Sequence, residues 1–315
     1  QCWTCPVAGP IVRAKDFLPQ LKKKFKLTKP NLNEAFFLIT KGLIKKAIIA
    51  DYIAQYSDIV FSAPQGFSGS EHLLASLCYT LQIFCDFSGY TDMAIGIALL
   101  LGYRLCLNFD SPYQSLNITE FWRKWHISLS SWLRDYIYIP LGGNQKGFRM
   151  QLLFLLVTML IGGFWHGAEW KFIFWGAAHG VLLIIHKLWI NYKSPNTESK
   201  WIKFTSWFIT FNLVSLLWIP FRANSMEDSW VMYKNIFTNH NLGMILAVIE
   251  SNPILFVLLV SGFTFTIMSK SWKNEIIQSY NRLDLVFKIL LLIIVIQGMI
   301  QMKSSVVQPF IYFQF

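Results

Sequence analysis

The chain has 315 residues, of which 54% are hydrophobic, 17% aromatic and only 14% charged, with a formal net charge of +11. Mean hydropathy is +0.41, and a soluble domain would carry a charged fraction of about 25%. A soluble globular domain is therefore excluded. The sequence predicts an all-α polytopic membrane protein, because several windows reach the roughly 17 to 25 apolar residues that cross about 30 Å of hydrocarbon.

The positive charge gathers in short connecting stretches, most densely at Arg13, Lys15, Lys22, Lys23, Lys24, Lys26 and Lys29. Beside membrane segments such clusters mark the cytoplasmic face and contact anionic headgroups. The expected partner is thus the lipid bilayer and not nucleic acid. Cys2 and Cys5 form a C-x-x-C, but Pro6 follows it and no second pair does. With Cys78, Cys85 and Cys106 in apolar runs, all five read as buried free thiols acting as small hydrophobes. The sequence opens without Met or a charged n-region, so no signal peptide is expected in it, and it starts in mid-motif on "CPVAGPIVRAKDFLPQ". A fragment lacking upstream membrane helices is expected.

Residues 1–29 read as a Pro/Gly loop running into a basic interfacial stretch. An amphipathic pattern over 31–56 places Lys41, Lys45 and Lys46 on one side, which predicts a helix lying in the interface or dipping into the bilayer. Residues 63–70, APQGFSGS, form a turn-rich loop. The stretch 73–103 is apolar at both ends but interrupted by "CDFSGYTDMAIG". Asp86 and Asp92 would be costly at membrane depth unless paired or wetted, which makes them functional candidates. Equally, they could cap two half-helices broken at Ser88 and Gly89.

Residues 108–149 are the most polar long stretch, mixing Trp122, Trp125 and Trp132 with Arg123, Lys124, Arg134, Asp135 and His126. Thr119 is expected to cap a helix starting at Glu120, on which Trp122 and His126 share a face. Tryptophan among basic residues fits a membrane-surface helix with aromatic anchors, and "LGGN" fits a tight turn; neither explains His126. Apolar spans follow at 150–168, which ends in "GGFWHGA", and at 172–186, which carries His179 and His186 on roughly one face. Further spans are expected at 204–221, 253–269 and 289–302, with no internal repeat or low-complexity segment.

The chemistry narrows by elimination. No G-x-S-x-G elbow, H-E-x-x-H, Walker loop or dinucleotide fingerprint is present. His166 with Glu169, and at most His179, could supply some of the three or four ligands of a zinc site, but the H-E-x-x-H pattern is absent. What remains is one or two histidines near membrane depth, ringed by Trp and Gly. An imidazole there can act as general base near neutral pH, and Gly162, Gly163 and Gly167 would let a ligand or second backbone come close. From periodicity alone, His166 reads more simply as a core histidine hydrogen-bonded across helices.

Three segments, in order, change that balance: "LQIFCDFSGYTDMAIGIALLLGYRLCLNFDSPY", "ITEFWRKWHISLSSWLRDYIYIPLGGN" and "GGFWHGAEWKFIFWGAAHG". Together they closely resemble the membrane-bound O-acyltransferase (MBOAT) family, in its bacterial branch typified by the alginate O-acetylation membrane protein. "VAGPIVRAKDFLPQ" and the terminal "FIYFQF" look like the same branch, so the likeness covers 1–315 as one membrane domain. The resemblance implies a fold with a central cross-membrane tunnel and acyl transfer from a thioester to a hydroxyl. It maps the family's histidine onto His166 as general base, and a second onto His126 as a supporting polar or proton-handling group. Trp122, Trp165, Arg134, Asp135 and Tyr136 are implied to line the chamber or pack the motifs. Asp86 and Tyr90 in "DFSGY" match the pattern without a derivable role.

The resemblance further implies acetyl-CoA as cytoplasmic donor, no resident cofactor or metal, and an exported polysaccharide or cell-wall sugar as acceptor. It implies an SGNH-type extracytoplasmic acetyltransferase as partner and a multi-pass place in the bacterial inner membrane. Three alternatives stay open. One is D-alanyl transfer from a carrier protein to teichoic acid. Another is a proton-coupled transporter using His166, Asp86 and Asp92, which calls for inverted repeats. The third is a lipid or protein acyltransferase of the eukaryotic type.

Overall fold

The computed structural model describes residues 10–24, 26–192 and 199–302. Cys2, Cys5 and the terminal FIYFQF lie outside the described residues. All regular structure among the described residues is helical. The helices are α1 (Ala14–Leu21), α2 (Lys29–Leu43), α3 (Asp51–Ser62), α4 (Gly69–Leu100), α5 (Ile118–Lys124), α6 (Ile127–Leu133), α7 (Ile139–Leu141), α8 (Phe148–His166), α9 (Trp170–Tyr192), α10 (Lys200–Arg222), α11 (Met226–Thr238), α12 (Leu242–Ser251), α13 (Pro253–Ile267), α14 (Lys270–Arg282) and α15 (Leu285–Met302). A π-helical turn, Ile44–Ala50, joins α2 to α3, and another, Arg134–Tyr138, joins α6 to α7.

Among the described residues α4, α8, α9, α10 and α15 are long and apolar enough to cross a membrane. The chain is a polytopic helical membrane protein. The span expected at 253–269 is shorter than the sequence pattern implies, since α13 has 15 residues, about 22 Å against the roughly 30 Å of a bilayer core.

The described residues form two compact units. Among the described residues the first draws on 10–56, 81–108 and 251–302, the second on 57–80 and 109–250.

In the first unit the acids of α4 are not helix caps. The helix runs unbroken through Ser88 and Gly89, which corrects the expectation of two half-helices. Asp92 accepts Lys41 at 2.9 Å and Lys45 at 2.8 Å, and Asp86 pairs with Lys46 at 2.6 Å. Lys46 also reaches Asp51 at 2.7 Å, and Lys45 donates to the Ser88 hydroxyl at 3.2 Å. Three lysines thus face three carboxylates, and the charges cancel. Neutralised in place, the acids leave the helical backbone bonds of α4 intact, so no break is required. The lysines are accordingly turned inward onto protein, Lys45 being only 7% exposed, and not toward a membrane interface as the amphipathic pattern predicted.

Two glycines bring the partners together. A β-carbon on Gly89 would stand 2.8 Å from the Gly42 carbonyl oxygen, and one on Gly42 would stand 2.6 Å from that of Gly89. Small residues let membrane helices approach this closely. On α15 the buried Lys288 instead donates to a neutral amide, Asn33 Oδ1, at 2.7 Å.

In the second unit α8 and α9 are joined by only Gly167, Ala168 and Glu169. A β-carbon on Gly163 would collide with the Phe172 carbonyl oxygen and come within 3.1 Å of Gly176 Cα. The helix α9 extends beyond the expected 172–186 on both sides. The cap of α5 is Asn117, whose Oδ1 accepts the Glu120 N–H at 2.8 Å, and not Thr119, whose hydroxyl instead bonds His186 Nδ1 at 2.8 Å. The helix also stops at Lys124, and His126 turns the chain with left-handed φ 42, ψ 55. Trp122 and His126 therefore do not share a helical face. Gly142 and Gly143, both at positive φ, make the expected turn. Of the cysteines, Cys78 in this unit and Cys85 in the first are buried free thiols, but Cys106 of the first unit is exposed, because α4 has ended by Leu100 and the chain there is irregular.

Replacing Asp92 by Ala leaves the buried Lys45 and the partly buried Lys41 without their shared counter-charge. Breaking a buried ion pair from one side costs about 3–5 kcal/mol. A clear fall in unfolding temperature of the detergent-solubilised protein is the expected outcome, and an unchanged transition would contradict the pairing.

Candidate active site

His166 is the last residue of α8, and three aromatic rings wall it edge-on. Trp165 lies 4.9 Å away between ring centroids, Phe221 5.0 Å and Trp175 5.3 Å, with interplanar angles of 79°, 76° and 87°. Trp175 and His179 are one turn apart on α9, so they share a face, and their rings are 4.8 Å apart. Trp218 of α10 completes the group, 5.7 Å from Trp175 and 5.3 Å from Phe221. Trp122 of α5 approaches from its own helix and donates its indole N–H to His179 Nδ1 at 3.3 Å. The cluster joins three spanning helices through side chains that are large, stiff and apolar except at their ring nitrogens.

His126 approaches the same cluster through Trp165, with ring centroids 6.4 Å apart. Its left-handed backbone is uncommon for a residue bearing a side chain and marks a conformation the surroundings impose. The ring is 3% exposed, and Ser128 Oγ lies 3.5 Å from its Nδ1. Burial first, and then the neighbouring His166, hold the His126 imidazole well below the ordinary histidine range. It is neutral at pH 7.

A cavity of about 460 Å³ opens beside this cluster, with Trp122 in its wall. Arg123, Arg134 and Lys187 bring cationic side chains to it, Ser130, Ser131 and Asn144 polar ones, and Leu155, Met159 and Leu183 an apolar surface.

Residues 2–226 match the model of the MBOAT, membrane-bound O-acyltransferase family. The chain belongs to the membrane-bound O-acyltransferase family. Over 212 residues it is 43% identical to the peptidoglycan O-acetyltransferase of Helicobacter pylori, covering 67% of this chain and 40% of that protein. It is 44% identical over 208 residues to the Pseudomonas putida protein named "Probable alginate O-acetylase AlgI", covering 66% and 42%. A teichoic acid D-alanyltransferase of Bacillus subtilis is 29% identical over 225 residues, covering 66% and 55%. The chain spans about two fifths of the length of the two O-acetylating relatives.

Within this MBOAT chain the residues singled out from sequence fall in two groups. His166, His126, Trp165 and Trp122 belong to one ring cluster in the second unit, and Arg134 lines the cavity with Trp122. Arg134 also pairs with its neighbour Asp135 at 2.6 Å, while Tyr136 is exposed and packs on Trp132 at 5.4 Å. Asp86 and Tyr90 belong to the first unit, where Asp86 is held by Lys46. Glu169 is exposed and lies 3.4 Å from Lys171, and among the described residues no three His, Cys, Asp or Glu side chains group as metal ligands. Sequence reading passed over Trp175, Trp218 and Phe221, and it noted His179 without a partner. The four-residue spacing of Trp175 and His179 was the available signal.

The depressed pKa of His126 links to stability with a definite sign. The unfolded state takes up a proton near the ordinary value of about 6.5 and the folded state only at lower pH. The contribution is therefore complete above about pH 6.5 and is lost as pH falls below it. Thermal unfolding of the solubilised protein should weaken more between about pH 7.5 and pH 5 for the natural protein than for His126→Gln. Equal losses would contradict the burial of a neutral ring.

Proposed function

We propose that this protein is a membrane O-acetyltransferase that takes an acetyl group from acetyl-CoA at the cytoplasmic side of a bacterial inner membrane. The acetyl group is passed toward hydroxyls of an exported polysaccharide or cell-wall sugar, with an SGNH-type extracytoplasmic acetyltransferase as partner. The observation that carries the proposal is His166, an imidazole at the end of a spanning helix, walled by three aromatic rings and backed by the neutral His126. The higher identity to relatives named for O-acetylation than to the D-alanyltransferase, over a similar share of the chain, supports acetyl over D-alanyl transfer.

In this reading the acceptor hydroxyl gives its proton to a ring nitrogen of His166 as its oxygen bonds to the thioester carbonyl carbon. The tetrahedral intermediate collapses, the carbon–sulfur bond breaks, and the imidazolium returns the proton to the departing thiolate. The products are an O-acetyl ester and free CoA thiol, with the histidine regenerated. The thioester is already activated, so holding it beside hydroxyl and base supplies much of the rate. The cavity suits such a donor in size, since ligand pockets run about 300–1,000 Å³. Arg123, Arg134 and Lys187 would meet its phosphates, and Leu155, Met159 and Leu183 its less polar arm. Trp122, in the cavity wall, connects that donor site to the ring cluster.

Inverted membrane vesicles carrying the protein and its partner, supplied with radiolabelled acetyl-CoA, test this directly. Label should enter envelope polymer, and His166→Ala should lower the rate about 10²- to 10⁴-fold, the range of general-base catalysis, at unchanged membrane abundance. Natural-level transfer by that variant would overturn the assignment. Label entering only from a D-alanyl carrier thioester would favour the teichoic acid reading.

A further inference from the structure

The ring cluster holds three buried nitrogens that the general-base scheme does not use. His179 is fully buried, and Trp175 and Trp218 are 2% and 1% exposed. Among the described residues, His179 Nε2, Trp175 Nε1 and Trp218 Nε1 have no hydrogen-bond partner. Their rings pack on one another, with centroids 4.8 Å apart for His179 and Trp175, 5.7 Å for Trp175 and Trp218, and 6.4 Å for His179 and Trp218.

The protonation of His179 follows from its neighbour. An indole N–H can only donate, so Nδ1, which receives the Trp122 N–H, carries no proton. The neutral ring then bears its proton on Nε2. All three unpartnered nitrogens are therefore donors, and none of them meets an acceptor in the structure. A buried donor left unpaired costs about 1–3 kcal/mol, so such a set points to a ligand that brings an oxygen acceptor. Trp175 packs against both His179 and His166, which places the donors beside the base.

We infer that His179, fixed by Trp122 in the Nε2–H tautomer, is a catalytic residue that acts with the indole N–H groups of Trp175 and Trp218 as the donor set for the acyl carbonyl oxygen. This rests on the acyl-transfer reading above. As the acceptor oxygen bonds to the carbonyl carbon, the carbonyl π pair moves onto its oxygen. The donors stabilise that negative charge until the intermediate collapses and the thiolate leaves. Donors set in advance toward a developing oxyanion are among the larger contributions an enzyme makes. Trp122 acts through His179 and is a positioning residue.

Two measurements test this separately. Nitrogen-15 NMR of histidine-labelled protein in nanodiscs, with the His179 signals identified by their loss in His179→Gln, should show a protonated Nε2 and a bare Nδ1. In Trp122→Phe the same residue should become a mixture of tautomers. A protonated Nδ1 in the natural protein, or an unchanged pattern in Trp122→Phe, would overturn the tautomer assignment whatever the reaction is. In the acetyl-transfer assay, His179→Phe should lower kcat about 10²- to 10³-fold, the loss typical of one oxyanion donor, with KM for acetyl-CoA within about twofold. His179→Gln, which keeps an N–H donor, should recover a large part of that loss. Natural turnover by His179→Phe, or equal losses in the two variants, would overturn the donor role. Absence of acetyl transfer by the natural protein would overturn the acyl reading and the donor role with it, while the NMR result would still decide the tautomer.

Discussion

An ionisable or polar side chain among lipid-spanning helices must be paired, kept neutral or given a polar ligand, and that constraint shapes both units of this protein. The first unit pairs. Lys41, Lys45 and Lys46 meet Asp92, Asp86 and Asp51 so closely that no net charge remains, and Lys288 finds Asn33. The ring cluster of the second unit keeps its groups neutral. Imidazoles and indoles carry the polar atoms there, and aromatic rings exclude most of the solvent that would otherwise charge them. Both solutions depend on glycine, because the contacts Gly42–Gly89 and Gly163–Gly176 bring helices near enough for side chains to reach across.

Much of this was legible in the sequence. Window hydropathy located four of the five spans directly and the fifth, α4, with an interruption that the structure does not contain. The error at α4 has a physical origin. Asp86 and Asp92 look like a polar break as long as their counter-charges are unseen, and those counter-charges lie about forty to fifty residues earlier, on a segment whose lysines looked solvated. Periodicity describes one helix at a time and cannot report that two glycines let another helix touch it.

The site was read unevenly for a similar reason. His166 and His126 stood out because histidines among apolar and aromatic residues are rare and chemically useful. The helical face drawn through Trp122 and His126 failed because α5 ends at Lys124 and His126 itself adopts a left-handed turn that no pattern announces. His179 was visible as a residue, but its meaning lies in a hydrogen bond from Trp122, 57 positions away in the chain. What the family likeness contributed was the chemistry. What the structure contributed was the company these rings keep, in which Trp175 is the common neighbour of His166 and His179 and Trp122 links the cluster to the cavity.

The central claim is that His166 takes the proton of an incoming hydroxyl beside a bound thioester. A structure of the protein with a non-transferable thioether analogue of acetyl-CoA tests it most directly. The account predicts the acetyl terminus in the His166 cluster, with a ring nitrogen within hydrogen-bond reach, about 2.6–3.2 Å, of a water or hydroxyl placed to attack it. An analogue whose acetyl end lies elsewhere, with the His166 ring closed off behind Trp165, Trp175 and Phe221, would contradict it.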